Sequence, residues 1–400
     1  MRLNKITLAL LSATLFVASS CSDNDDSSDN SVVTPTSYTF ERNGSSSVNY
    51  EGQSSRILML NELGNYIKDQ ATTGDLIDVA VLNNMYTNVS NPFSTTALNT
   101  SEKQLRNKVA ASRDYFVNLG GAGSTVEQTA VRNFFASQFN DANEASTGNV
   151  AAANVAGSYI DGSSVRLFAA NGLEPQQILL KGMMGACFMD QIANHYLSTA
   201  VLDEGGSKIE NTNKVLEAGK NYTSMEHKWD EAYGYIYGAG GSKFWDSYIN
   251  QVNADSDFNT VKEAIEVAFR KGRAAIVANN YDVRDAQIAI IKSKIAMIPA
   301  VRAVYYLKSG KEKLVTDNGA KAFHALSEAY GFIMSLRYTQ NPATNEPYMS
   351  KVQVDAILAE LTAGTNGLWD VDYLNEKLDG IAAQIAAPFG FTVEQAQTVN

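Results

Sequence analysis

Twelve stretches of helical patterning, one ten-residue phrase written twice and a near absence of strand signals predict an all-α fold: duplicated helical hairpins in a helical bundle, opened by a short N-terminal β-hairpin. The repeated phrase is the most informative of the three. His227 begins HKWDEAYGYI and His324, 97 positions later, begins HALSEAYGFI; six positions are identical and Tyr235 is exchanged for Phe332. Agreement among residues this scarce points to an internal duplication.

In chain order, Arg2 and Lys5 precede an apolar run from Ile6 to Ala18, too short to span a membrane as a helix but right for the core of an export signal. The run ends in Ala18-Ser19-Ser20-Cys21, which resembles a bacterial lipobox, so residues 1–20 read as a lipoprotein signal peptide and Cys21 as the lipidated first residue. The Ser-Asp-Asn-Asp-Asp that follows resembles the acidic signal that carries Bacteroidota lipoproteins to the cell surface. Residues 21–36 are a polar tether that cannot bury enough apolar surface to order itself. In residues 37–50, aromatic and β-branched residues flank Asn43-Gly44, the signature of a tight β-hairpin.

From there to residue 400 the pattern is helical, with helices expected at about 53–70, 74–85, 101–118, 124–141, 174–200, 211–238, 242–252, 260–279, 282–308, 312–338, 350–362 and 370–386. Ser124 with Glu127 and Thr260 with Glu263 read as capping boxes, and Pro299 predicts a kink or break. Each copy of the phrase follows a long apolar helix, one ending His195-Tyr196-Leu197 and the other Tyr305-Tyr306-Leu307. The internal repeats therefore run over about 174–238 and 282–338, each a long helix followed by a motif helix.

Composition fits an exported globular chain. Loss of Arg2 and Lys5 with the leader moves the formal charge from −11 to −13, which excludes nucleic-acid binding by general electrostatic attraction. Once Cys21 is lipidated only Cys187 remains, so no intramolecular disulfide is available; its GMMGACFMD setting predicts a buried thiol. Stability must then come from an apolar core, for which 44% hydrophobic residues suffice.

The chemistry-bearing candidates lie in the repeated phrase. On a helix, His and Glu at i and i+4 and Gly at i+7 share one face, so each copy presents an imidazole, a carboxylate and a place for close backbone approach. Packed about a pseudo-twofold axis, the two hairpins would bring His227, Glu231, His324 and Glu328 into one interior site with Asp230 on the same side. Imidazole with carboxylate suits iron, zinc or copper. The same residues also suit close helix packing, because a His hydrogen-bonded to a Glu is a common buried pair. His195 could supply a further ligand, but it reads more readily as a satisfied helix-end histidine. Gly238 to Lys243, GAGGSK, reads as a loop joining two helices rather than a phosphate loop, and Asn253-Ala-Asp255-Ser-Asp257 as a helix-entry loop rather than a calcium loop. The sequence contains no His-Glu-x-x-His, Gly-x-Ser-x-Gly or Cys-x-x-Cys.

The leader, YTFERNGSSSVNYEGQ, HKWDEAYGY and FHALSEAYGF together resemble a Bacteroidota lipoprotein family known only as domain of unknown function 4856, over most of the mature chain. More distantly, the His-headed duplicated pattern is similar to the imelysin group, iron-regulated envelope proteins of two related helical bundles, historically classed as peptidases. Their hallmark is Gly-x-His-x-x-Glu. Here Met225 and Asp230 stand at the Gly and Glu positions, with Glu231 one residue on, and the second copy has Ala322 and Ser327. What that resemblance implies for a metal is thus confined to His227, Asp230 and Glu231. The expectation is an outer-membrane, surface-exposed lipoprotein, held by lipid on Cys21, that binds a transition metal (iron or zinc) or a metal complex for uptake. An imelysin-type metal-dependent peptidase and a non-catalytic helical scaffold are the alternatives.

Overall fold

The computed structural model describes residues 32–117 and 122–399; the leader, Cys21 and the tether up to residue 31 lie outside them. Strands β1 (Glu41–Arg42) and β2 (Ser45–Ser46) pair antiparallel around Asn43 and Gly44, whose φ values of 53° and 74° give the type I′ turn that Asn-Gly favours. The segment leads into α1 (Glu51–Thr73), followed by α2 (Val79–Thr87) and the single turn α3 (Thr96–Asn99).

The helix expected at 101–118 does not form. Glu102 and Ala110 take φ of 58° and 53°, which breaks the pattern, and only a π-helical turn, Arg113–Val117, remains. The amide of Ala110 instead donates to the carbonyl of Ala186 at 2.8 Å, a tertiary bond that a local pattern does not disclose. After α4 (Ala122–Ala145) comes an unexpected second hairpin, β3 (Gly157–Asp161) with β4 (Ser164–Phe168). Ser124 lies inside α4 rather than at its cap, and Thr260 is an N-cap without a side-chain hydrogen bond. Complete capping boxes occur instead at Thr223 with Glu226, Ser350 with Gln353 and Thr392 with Gln395.

The apolar run expected as one helix over 174–200 begins as α5 (Pro175–Met183) and continues through two π-helical turns, Met184–Met189 and Ile192–Tyr196. The carbonyl of Met184 accepts from Trp245 Nε1 at 3.0 Å and that of Ala186 from Ala110, so external donors bind carbonyls where the regular ladder is widened. Short helices α6 (Thr199–Leu202) and α7 (Ser207–Thr212) lead to α8 (Ser224–Tyr237), the first motif helix. The helix expected over 211–238 is thus interrupted between α7 and α8.

Helices α9 (Trp245–Ala254), α10 (Val261–Val277), α11 (Tyr281–Lys313) and α12 (Ala320–Leu336), the second motif helix, follow. Helix α11 passes through Pro299 without a break. It is the central column, packed against α10, α12 and α14 (Val371–Phe389), with Ile291, Ile295, Ile298, Val301, Val304 and Leu307 fully buried. Helix α13 (Lys351–Leu361) precedes α14, and the turn α15 (Val393–Ala396) closes the chain. The architecture is therefore mostly helical, with small antiparallel hairpins. No helix among the described residues is long and apolar enough to cross a membrane.

Candidate functional site

Both copies of the repeated phrase lie on helices, as the spacing requires, and each clamps the start of another helix. In the first copy His227 Nδ1 donates to the carbonyl of Asn49 at 3.1 Å, and Asp230 Oδ2 accepts from the amide of the same residue at 3.3 Å, just before α1. In the second copy His324 Nδ1 donates to Glu174 Oε2 at 2.6 Å, and Ser327 Oγ accepts from the amide of Glu174, the N-cap of α5, at 2.8 Å. Asn49 and Glu174 both lie at a helix entry, but one residue out of step: Glu174 is the N-cap of α5, whereas Asn49 precedes Tyr50, the N-cap of α1. The glycines complete the clamps: a Cβ on Gly234 would lie 2.4 Å from Tyr50 Cβ, and one on Gly331 2.5 Å from Lys181 Cβ, so only glycine admits the neighbouring helix.

The glutamates face back toward their histidines. Glu231 lies 4.0 Å from His227 Nε2, accepts from Gln53 Nε2 at 2.8 Å and from Tyr196 Oη at 3.1 Å, and Tyr196 in turn accepts from Lys108 at 3.0 Å. Burial lowers the affinity of Lys108 for its proton. Glu328 lies 3.7 Å from His324 Nε2 and pairs with Lys181 at 3.0 Å. Burial pushes its carboxyl up, but Lys181 and His324 together hold it below the usual range.

The four residues do not converge. They form two pairs that share no hydrogen-bond or ion-pair partner among the described residues and touch α1 at different heights: Gln53 reaches Glu231, whereas Asn61, Gly64 and Asn65 line the cleft that holds His324 and Glu328. At about 1.5 Å per residue, the eight positions from Gln53 to Asn61 separate them by roughly 12 Å along that helix. The reason lies in the partners. Each motif helix docks on its own helix start, α8 on α1 and α12 on α5, rather than on the other motif helix.

Asp230 does not join His227 in a metal corner either. Its Oδ1 meets Arg273 Nε at 2.9 Å and Tyr38 Oη at 2.6 Å. Arg273, fully buried, also lies 3.2 Å from Glu226, which Arg42 contacts at 2.8 Å. This cluster pins the N-terminal hairpin to α8 and α10. Burial pushes the Asp230 carboxyl up to about 6 against the pull of Arg273. Glu226, also pushed up by burial, is held below its ordinary value by Arg273 and Arg42.

Among the described residues no group of three or more His, Cys, Asp or Glu side chains is disposed to hold a metal ion. His227 with Glu231 offers two donors; His324, Glu174 and Glu328 are engaged with one another and with Lys181. The sequence reading missed Glu174, Arg273 and Lys181. Their only local signals are an acidic residue before Pro175, a lysine inside the apolar run ILLKGMM, and an arginine on the apolar face of an amphipathic helix, beside Phe269 and Ile276. Cys187 is a buried free thiol pushed by burial up to about 12, and so is chemically quiet. GAGGSK lies in the loop between α8 and α9, with Gly240 and Gly241 at φ of 62° and 65°. In the loop before α10 Asp255 accepts from the amide of Asp257 at 2.9 Å, and Asn253, at the end of α9, accepts from that of Lys262 at 3.0 Å, the helix-entry role.

No curated protein and no solved structure matches this chain. A family model does match, over residues 35–392, and on that extent the chain belongs to the family described as Domain of unknown function (DUF4856).

Proposed function

We propose that this protein is an exported lipoprotein, anchored through Cys21 at the outer membrane, whose helical domain is a non-catalytic binding scaffold. In this reading the repeated His/Glu phrase is a helix-docking lock. One observation carries it: with the same two motif positions both copies hold a residue at the entry of another helix, Asn49 through His227 and Asp230, and Glu174 through His324 and Ser327. A peptidase of imelysin type is disfavoured by the same engagement, since among the described residues no closed set of ligands is left to activate a water.

A second reading keeps the metal at the first copy alone. His227 Nδ1 is held by a backbone carbonyl, as the outer nitrogen of metal-bound imidazoles commonly is, while Nε2 and Glu231 stay partly exposed. Two donors suit a metal that arrives with other ligands, hence an iron complex rather than a bare ion. Melting curves of the full chain with iron, zinc and copper, beside His227→Ala and His324→Ala, separate the readings. The lock predicts no rise with any metal and lower melting of both variants. A rise for the wild type that His227→Ala abolishes overturns it in favour of metal binding.

A further inference from the structure

A cleft of about 410 Å³ opens on one side of α11, between the π-helical turn Arg113–Val117, the entry of α6 and the loop after α12. That volume falls within the range of roughly 300–1,000 Å³ typical of small-molecule sites. Its wall on α11 is Asp285, Ile288, Ala289 and Lys292, spaced by three, one and three residues and so on one helix face. The loop opposite is pinned on itself. The amide of Asn341 donates to the carbonyl of Glu346 at 2.9 Å and that of Asn345 to the carbonyl of Asn341 at 2.8 Å, which fixes Gln340 and Asn345 in the lining.

Lys292 is the reactive group of this wall. It is only 6% exposed, its Nζ donates to Gln340 Oε1, and it makes no ion pair among the described residues. Charged side chains this enclosed are normally paired. Asp114 and Asp285 share the lining, and Asp285 is engaged by Arg284 at 2.7 Å. Burial pushes the Lys292 ammonium down to about 8 against the pull of both carboxylates. At pH 7.5 about a quarter of amines of that kind are neutral, against about one in a thousand of ordinary lysines.

A desolvated lysine amine without a countercharge, at the wall of a cleft, is the arrangement of an imine-forming lysine. An anion is the poorer fit, because two carboxylates share the lining with this one amine. From this we infer that Lys292 captures a small aldehyde or ketone in the cleft as an imine. The ammonium first releases its proton to solvent, and the amine nitrogen then bonds to the carbonyl carbon. The carbonyl oxygen leaves as water with the two amine hydrogens as the C=N bond forms, so neither oxidant nor reductant is consumed. This goes beyond the lock reading and holds whether or not His227 meets a metal.

The test is reductive trapping of the full chain in detergent at pH 7.5, with propionaldehyde and cyanoborohydride and peptide mapping by mass spectrometry. Lys68 and Lys220, both exposed, are the references. The neutral fraction alone favours an amine like Lys292 by about two-hundred-fold, and lower basicity and restricted entry reduce that lead. Lys292 should therefore be modified at least ten-fold faster than either reference. An aldehyde carried on dextran, too large to enter the cleft, should reverse the order. Lys292→Met should abolish the fast uptake of propionaldehyde and leave the slow uptake unchanged. A lead of less than ten-fold with propionaldehyde, the same lead with the dextran aldehyde, or fast uptake that survives Lys292→Met overturns the assignment.

Discussion

His324 and His227 occupy the same place in a duplicated phrase, yet they carry different loads. The partner of His324 is the carboxylate of Glu174, almost wholly buried, whereas the partner of His227 is a backbone carbonyl, and its ring stacks on Tyr222 at 4.5 Å. Removing a donor from a buried charge costs more than removing one from a neutral acceptor. His324→Ala should therefore lose roughly 1.5–3 kcal/mol and His227→Ala about 1 kcal/mol or less in urea unfolding at neutral pH. Equal losses would contradict the assigned partners. The i,i+4 spacing of His and Glu was legible in the sequence because it is local. Their partners were not, since Asn49 lies 178 positions before His227 and Glu174 lies 150 before His324. For the same reason two separate locks could be mistaken for one shared site.

At the level of elements, the glycines of the phrase set how closely helices approach. Gly234 meets Tyr50, Gly331 meets Lys181 and the backbone of Gly182, and on α10 Gly272 would place a Cβ 2.1 Å from the ring of the fully buried Trp229. Gly234→Ala and Gly331→Ala should each lower stability by roughly 1–3 kcal/mol despite the gain in helix propensity, because a packed core absorbs overpacking poorly. Gly380, where an added Cβ meets nothing within 4 Å, is the control: alanine there should be neutral or stabilising. Unchanged melting of both motif variants would remove close docking as the purpose of the repeat.

Helix identity was legible wherever a long amphipathic period ran uninterrupted, as in α10 to α12, and the Asn43-Gly44 turn announced the first hairpin. The second hairpin carries a comparable signal, the two-residue loop Gly162-Ser163 between Tyr159-Ile160-Asp161 and Ser164-Val165-Arg166-Leu167-Phe168, masked by the helical pattern on either side. The π-helical turns had no such signal. One of them, Met184–Met189, coincides with bonds from Trp245 and Ala110, both remote in sequence.

For the whole molecule, two ionisable groups in the π-helical region, Asp190 buried and His195 half-buried, make opposite contributions to stability against pH. Burial, aided by Lys108, Lys228 and Arg113, depresses His195 to about 4, and no partner meets its Nδ1. Between that value and the ordinary 6.5 the unfolded chain binds the proton and the folded chain does not, so acid destabilises the fold through His195 as pH falls across this window. Asp190 has the opposite sign. Burial pushes its carboxyl up to about 7 although Ser112, Ala111 and Asn194 donate to it. From the ordinary 3.8 up to about 7 the folded chain retains a proton that the unfolded chain has lost, so stability falls through Asp190 as pH rises. The windows overlap and the two contributions offset each other. Melting followed from pH 4 to 8 separates them, because His195→Gln should improve relative to wild type as pH falls below 6.5, whereas Asp190→Asn should improve relative to wild type as pH rises toward 7. Parallel curves for wild type and both variants would show that neither group changes its proton affinity on folding, and the acid lability of the fold would then rest on its paired carboxylates, Glu226 and Glu328 first.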